Sequence, residues 1–146
     1  MRKTEGNKIA EDLQNRIGEI KEKVQKISSL STGLIQDYVV KLNTRIKDLL
    51  QEQEIDQARL AQEVVIYADK CSIEEEVTRL DSHISQFNDL LQSQDAVGKK
   101  LDFMIQEMNR ETNTIGSKAN HLEITNEVIH IKTQIENIRE QVQNIE

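Results

Sequence analysis

Not one proline interrupts the 146 residues of this chain, and that absence constrains the fold more than any motif does. Proline removes a backbone donor and clashes with the preceding helical turn, so a chain without it is free to run in long unbroken helices. The abundant Ile, Leu, Glu, Gln, Lys and Asn support that choice. The last residues show it most cleanly. Ile124, Val128, Ile131, Ile135, Ile138, Val142 and Ile145 step alternately by four and three, the a/d spacing of a helix-to-helix seam. Two Tyr, two Phe and no Trp leave the core to Ile, Leu and Val, which suits narrow seams between helices. The expected fold class is all-α, with long amphipathic helices in a hairpin or bundle arrangement.

The same periodicity divides the rest of the chain. Ile9, Leu13, Ile17, Ile20, Val24 and Ile27 make one stripe on a first helix, from about Glu5 to Ile27. Ser28, Ser29, Ser31, Thr32 and Gly33 break it, because these residues favour turns over helix interiors. A second helix carries Leu34, Ile35, Tyr38, Leu42, Ile46, Leu49 and Leu50. Whether the two fold into a hairpin or one kinked arm is open at this level. After the polar connector Gln51 to Asp56, a third helix to about Asp69 is apolar on more than one side. Such a helix is expected to be the most buried. Ser72 and Glu75 have the spacing of a capping box for a fourth helix, whose stripe is Ile73, Val77, Leu80, Ile84, Phe87 and Leu91. Gln92 to Gly98 reads as a loop. A fifth helix carries Leu101, Met104, Ile105 and Met108 and is expected to fray from Asn113 to Asn120. The expected division is a helical arm over residues 1–56 and a helical domain over 57–146.

Charge and cysteine content limit the function classes. The net charge is −7, and residues 72–97 hold one positive and six negative groups. Residues 98–120 hold four positive and three negative. A non-specific nucleic-acid binder is expected to be basic. An acidic patch beside a slightly basic one instead suits a site that uses a divalent cation to meet phosphate. The single Cys71 permits no internal disulfide and fits a reducing compartment. The charged start MRKTEGNKIAEDL does not resemble a secretory signal, and no stretch approaches the roughly 20 apolar residues of a membrane span. A cytoplasmic protein with no membrane partner is expected.

Two helix faces can carry chemistry. Glu76, Arg79 and His83 fall at i, i+3 and i+7 beside the apolar stripe of the fourth helix. A carboxylate, a guanidinium and an imidazole can serve as metal ligand, phosphate anchor and general base. On the fifth helix Glu107, Arg110, Glu111 and Thr114 share a face. Glu107 and Glu111 repel one another unless a cation or Arg110 lies between them, which makes them the best carboxylate pair for a divalent metal. Lys118 is long enough to reach a phosphate. The plain alternative at each position is a solvated helix face with an ordinary ion pair. His121 and His130 read as a loop residue and a solvated residue.

Three blocks give a family resemblance: ADKCSIEEEVTRLDSHISQF (68–87), GKKLDFMIQEMNRETNTIGSKAN (98–120) and IREQVQNIE (138–146). Together they resemble the C-terminal part of the bacterial YicC/YloC family. EGNKIAEDLQNRI and RLAQEVVIYADK resemble its middle region. The resemblance implies an endoribonuclease that needs a divalent metal, manganese or magnesium, and assembles into a ring-like homo-oligomer, with a hexamer expected. By position, the family pattern falls on Glu75, Glu76, Arg79, Ser82 and His83. It also falls on Gln106, Glu107, Asn109, Arg110, Glu111, Asn113, Gly116, Ser117 and Lys118. Ser72 stands where the family usually has Asp. Family members also carry an N-terminal domain that is expected to be missing here.

The leading expectation is therefore hydrolysis of single-stranded RNA. Glu107, Glu111 and Glu76 would hold the metal, and His83 would be a ligand or proton carrier. Arg79, Arg110 and Lys118 would anchor phosphates, with Asn109 and Asn113 orienting RNA. The rival reading is a non-catalytic helical oligomerisation module, or an RNA-binding adaptor. The two part on geometry, because the enzyme needs His83, Glu107 and Glu111 to converge.

Overall fold

The computed structural model describes residues 2–51, 53–93 and 98–145. Six helices account for nearly all of them: α1 (Arg2–Ser31), α2 (Leu34–Leu50), α3 (Gln57–Cys71), α4 (Glu74–Gln92), α5 (Gly98–Lys118) and α6 (Leu122–Ile145). No strand occurs among the described residues, as the periodicity requires. Most of the segment expected as a loop after Gln92, residues 94–97, lies outside the described residues, as does Glu52 of the polar connector.

Four helices close a ring in which α1 packs on α4 and α6, and α5 packs on the same two. Cross-helix contacts fix the directions. Arg16 reaches Gln134 while Lys26 reaches Glu127, so α1 and α6 are antiparallel. Arg79 meets Glu111 and Lys118 meets Glu76, so α4 and α5 are antiparallel too. The apolar stripes read from the sequence turn inward. Leu13, Ile20, Ile27, Leu80, Phe87, Leu101, Met108, Ile115, Ile124, Ile131 and Ile138 are fully buried. The α6 seam faces this core from Ile124 to Val142; the Ile145 side chain lies outside the described residues. Truncating Phe87, the largest side chain among them, to Ala is expected to cost about 3–5 kcal/mol.

The remaining pair, α2 and α3, pack on each other. Tyr38 and Tyr67 stack between them, with ring centroids 3.7 Å apart. α1 and α2 do not form a hairpin. They follow one another across Thr32 and Gly33, where Thr32 Oγ1 donates to the carbonyl of Ser29 and Ser31 Oγ to that of Ser28. Packing thus groups α1 with α4 and α6.

Three local expectations are corrected. α3 is not the most buried helix. Val65 is 58% and Ile66 46% exposed, and Cys71 is its only buried residue. Its main helical partner is α2, which leaves much of its many-sided apolar surface uncovered. Ser72 does not cap α4, which begins at Glu74 with Ile73 at the cap position and no side-chain bond there. Glu74, Glu75 and Glu76 in the first turn complement the helix dipole instead. Finally, α5 does not fray from Asn113. It continues to Lys118 because Thr112, Ile115 and Ala119 are buried, and Thr112 Oγ1 donates to the carbonyl of Met108 at 2.7 Å. Gly116 lets α6 approach here, since a Cβ on it would meet Val128 Cγ1 at 3.2 Å.

Candidate functional site

The seam between α4 and α5 carries a row of charged groups at the edge of the core. Glu76, Arg79 and His83 rise on one helix, and Lys118, Glu111 and Glu107 descend on the other. The antiparallel register brings them into pairs. Lys118 Nζ donates to Glu76 Oε1 at 2.7 Å. Arg79 Nε donates to Glu111 Oε1 at 2.9 Å, and Arg79 Nη2 lies 3.5 Å from Glu76 Oε1. The exposed Glu75 adds a looser contact to Arg79 at 3.6 Å.

Glu76 and Glu111 are only 2% and 6% exposed, so they depend on these partners. Burial by itself would raise the Glu76 pKa. The Lys118 hydrogen bond, a backbone hydrogen bond and the charges of Lys118 and Arg79 outweigh burial and hold the carboxyl below the ordinary glutamate range. The hydrogen bond to Glu111 raises the Arg79 pKa further, so the guanidinium stays charged.

Beyond Arg79 the row opens into a three-residue group. His83, Glu107 and Glu111 each offer a ligand atom, and these atoms all lie within 4.8 Å of one another. Glu111 is buried and the other two are half-buried. Nδ1 of His83 is buried without a hydrogen-bond partner among the described residues. A buried imidazole nitrogen normally has a partner. One imidazole and two carboxylates also form a reasonable donor set for a divalent ion. The residues present therefore fit a metal.

The other sequence candidates fall around this group. Glu76 stands outside it, held by Lys118 and Arg79. Arg110 and Asn113 are exposed on the solvent side of α5. Asn109 is on the α6 side of the helix, beside Lys132, Thr133 and Glu136. Lys118 is engaged with Glu76 and its side chain is 36% exposed. His130 is exposed near Lys23, and His121 accepts the Ile124 N–H at the start of α6. Spacing on single helices did not reveal the Glu76–Lys118 pair. The available signal was a carboxylate in one helix stripe and a lysine ending the next helix.

Comparison with known proteins agrees with the three sequence blocks. The family described as "Endoribonuclease YicC-like, C-terminal" matches residues 27–146. The whole chain aligns with a protein named probable endoribonuclease YicC from Clostridioides difficile at 52% identity, covering 50% of that protein. A protein of the same name from Haemophilus influenzae is 36% identical over the whole chain, again with 50% of its length covered. The chain thus spans about half the length of the curated relatives it matches, and it belongs to the YicC-like endoribonuclease family, corresponding to the C-terminal region of its members.

Proposed function

We propose that this chain is the metal-binding part of an endoribonuclease that hydrolyses single-stranded RNA. The observation that carries this reading is the convergence of ligand atoms of His83, Glu107 and Glu111 within 4.8 Å. These three residues would hold the cation, and an imidazole among oxygen donors favours manganese over magnesium. When bound, a divalent cation there supplies activation of water and neutralisation of charge on the scissile phosphate.

The chain's own groups do the positioning. Arg79 fixes one oxygen of Glu111 and leaves the other for a second partner. Arg79 is half exposed, so its remaining N–H groups are available to a phosphate. Arg110 and Asn113 extend that surface along α5. Lys118 borders it while neutralising Glu76. Asn109, on the α6 side, has no part in this surface.

We also propose self-association through α2 and α3. Val40, Leu49 and Val65 are 65%, 71% and 58% exposed there. Apolar side chains left this exposed on a helical hairpin are available to a partner.

The test is cleavage of a labelled RNA by this chain, by the Glu107→Ala variant and by a chain of the relatives' full length, each with manganese and with chelator. Cleavage that needs manganese and is lost in Glu107→Ala is expected. Cleavage by the variant at the parent rate would remove the metal assignment.

A further inference from the structure

Next to the three-residue group the α4/α5 seam widens into a groove of about 550 Å³. Gln86, Asp89 and Leu90 line it from α4, and Lys99, Lys100 and Phe103 from α5. Phe103 is 56% exposed. The other aromatic rings are committed, since Phe87 is fully buried and Tyr38 stacks on Tyr67. A half-exposed ring on the wall of a groove is available as a stacking platform.

The placement ties the groove to the charged row. Phe103 precedes Glu107 by four residues, about one helical turn and about 6 Å of rise, and Gln86 follows His83 by three residues on α4. One such turn is the scale of a single nucleotide step along an extended strand. Lys99 and Lys100 stand beyond Phe103 at the start of α5, on the side away from the candidate metal ligands. A strand passing along α5 would thus meet carboxylates and imidazole, then an aromatic face, then two ammonium groups.

We infer that this groove seats the nucleotide next to the scissile phosphate of single-stranded RNA, with Phe103 stacking on its base and Lys99 and Lys100 meeting the following phosphates. The inference rests on the RNA-cleaving reading above and deepens it. Gln86 offers both a donor and acceptors to a base edge, and its Nε2 already donates to Ser82 Oγ at 3.2 Å. Asp89 on the same wall makes the groove less than uniformly basic. Its carboxylate accepts a hydrogen bond from a ribose hydroxyl or an exocyclic amine, not from phosphate. Duplex RNA is disfavoured, because its bases are already stacked and cannot cover Phe103.

The test is binding of a fluorescent single-stranded oligouridylate, followed by anisotropy with EDTA present so that cleavage plays no part. Phe103→Ala is expected to weaken binding about tenfold, and Phe103→Trp to restore it. The Lys99→Ala/Lys100→Ala double variant is expected to bind more weakly and with a shallower salt dependence. A hairpin duplex should compete poorly. Parent-level affinity in Phe103→Ala, or no measurable binding by the parent chain, overturns the inference and leaves the groove to a protein partner. Cleavage by Glu107→Ala tests the metal and anisotropy of Phe103→Ala tests the groove, so either reading can fail alone.

Discussion

Lys118 Nζ lies 2.7 Å from Glu76 Oε1, joining the last turn of α5 to the first turn of α4. The carboxylate is almost fully buried, and its second oxygen has no hydrogen-bond partner among the described residues. Removing the lysine would leave a buried charge with the longer Arg79 contact and a backbone hydrogen bond. We predict that Lys118→Met lowers stability by about 2 kcal/mol, below the full cost of breaking a buried pair because the lysine is partly exposed. Adding Glu76→Gln should recover part of the loss. Urea denaturation of the two single variants and the double variant measures the coupling.

The same carboxylate gives a pH dependence of defined sign. The folded state holds the Glu76 pKa below its unfolded value. The stabilisation is therefore fully present above the unfolded value, about pH 4.3, and is lost as pH falls through the lower folded value. Glu127 contributes in the same direction, chiefly through the Lys26 hydrogen bond across α1 and α6. The parent chain should lose urea resistance below about pH 4.3, and Glu76→Gln should show a shallower loss. Equal acid slopes for the two proteins would contradict this account.

Cation binding should appear as stability even without RNA. If His83, Glu107 and Glu111 hold manganese in the folded chain alone, saturating metal raises the melting temperature, by about 2.7 kcal/mol of stability at a hundredfold excess over Kd. Glu107→Ala and His83→Ala should each reduce the shift strongly. Thermal denaturation with manganese, calcium and EDTA checks this, and a shift that persists in both variants would place the ion elsewhere.

What the sequence revealed followed from what periodicity encodes. The stripes of α1, α4, α5 and α6 named most of the core residues because each helix buries one face, with Ile9, Val77 and Leu91 only partly buried at its edge. His83 and the Glu107–Glu111 pair stood out because each sits beside such a face. The register between helices is a tertiary property. It alone sets Arg79 against Glu111 and Lys118 against Glu76. α3 misled for a related reason. Apolar residues on several sides signal the need for partners, but not that those partners belong to the same chain, and Val65 and Ile66 remain exposed. Ser72 fitted a capping pattern, yet Ile73 occupies the cap position and is itself buried in the core.

The exposed hairpin gives a prediction about assembly. Leu49 and Val65 are 71% and 58% exposed, so neither supports the fold of a single chain. If α2 and α3 mediate self-association, Leu49→Glu with Val65→Glu should shift the sedimentation coefficient towards that of a monomer. Helical content should stay unchanged by circular dichroism, since the four-helix core does not involve them. An unchanged oligomer distribution would free this surface from assembly.

The approach of α5 to α6 at Gly116 provides a final test of packing. Its would-be Cβ lies 3.2 Å from Val128 Cγ1, and Val128 is itself 6% exposed. Two effects oppose each other at this position. A side chain in place of glycine favours the helix by up to about 1 kcal/mol, whereas overpacking costs about 1–3 kcal/mol. For Gly116→Leu the steric term wins, because the branched side chain has no room unless α6 moves. We predict a loss of about 2 kcal/mol. Val128→Ala in the same chain opens the space that leucine needs and should restore part of the loss, although each change alone destabilises. Chemical denaturation of both single variants and the double variant decides it. Simple additivity would mean that the two residues do not share this contact.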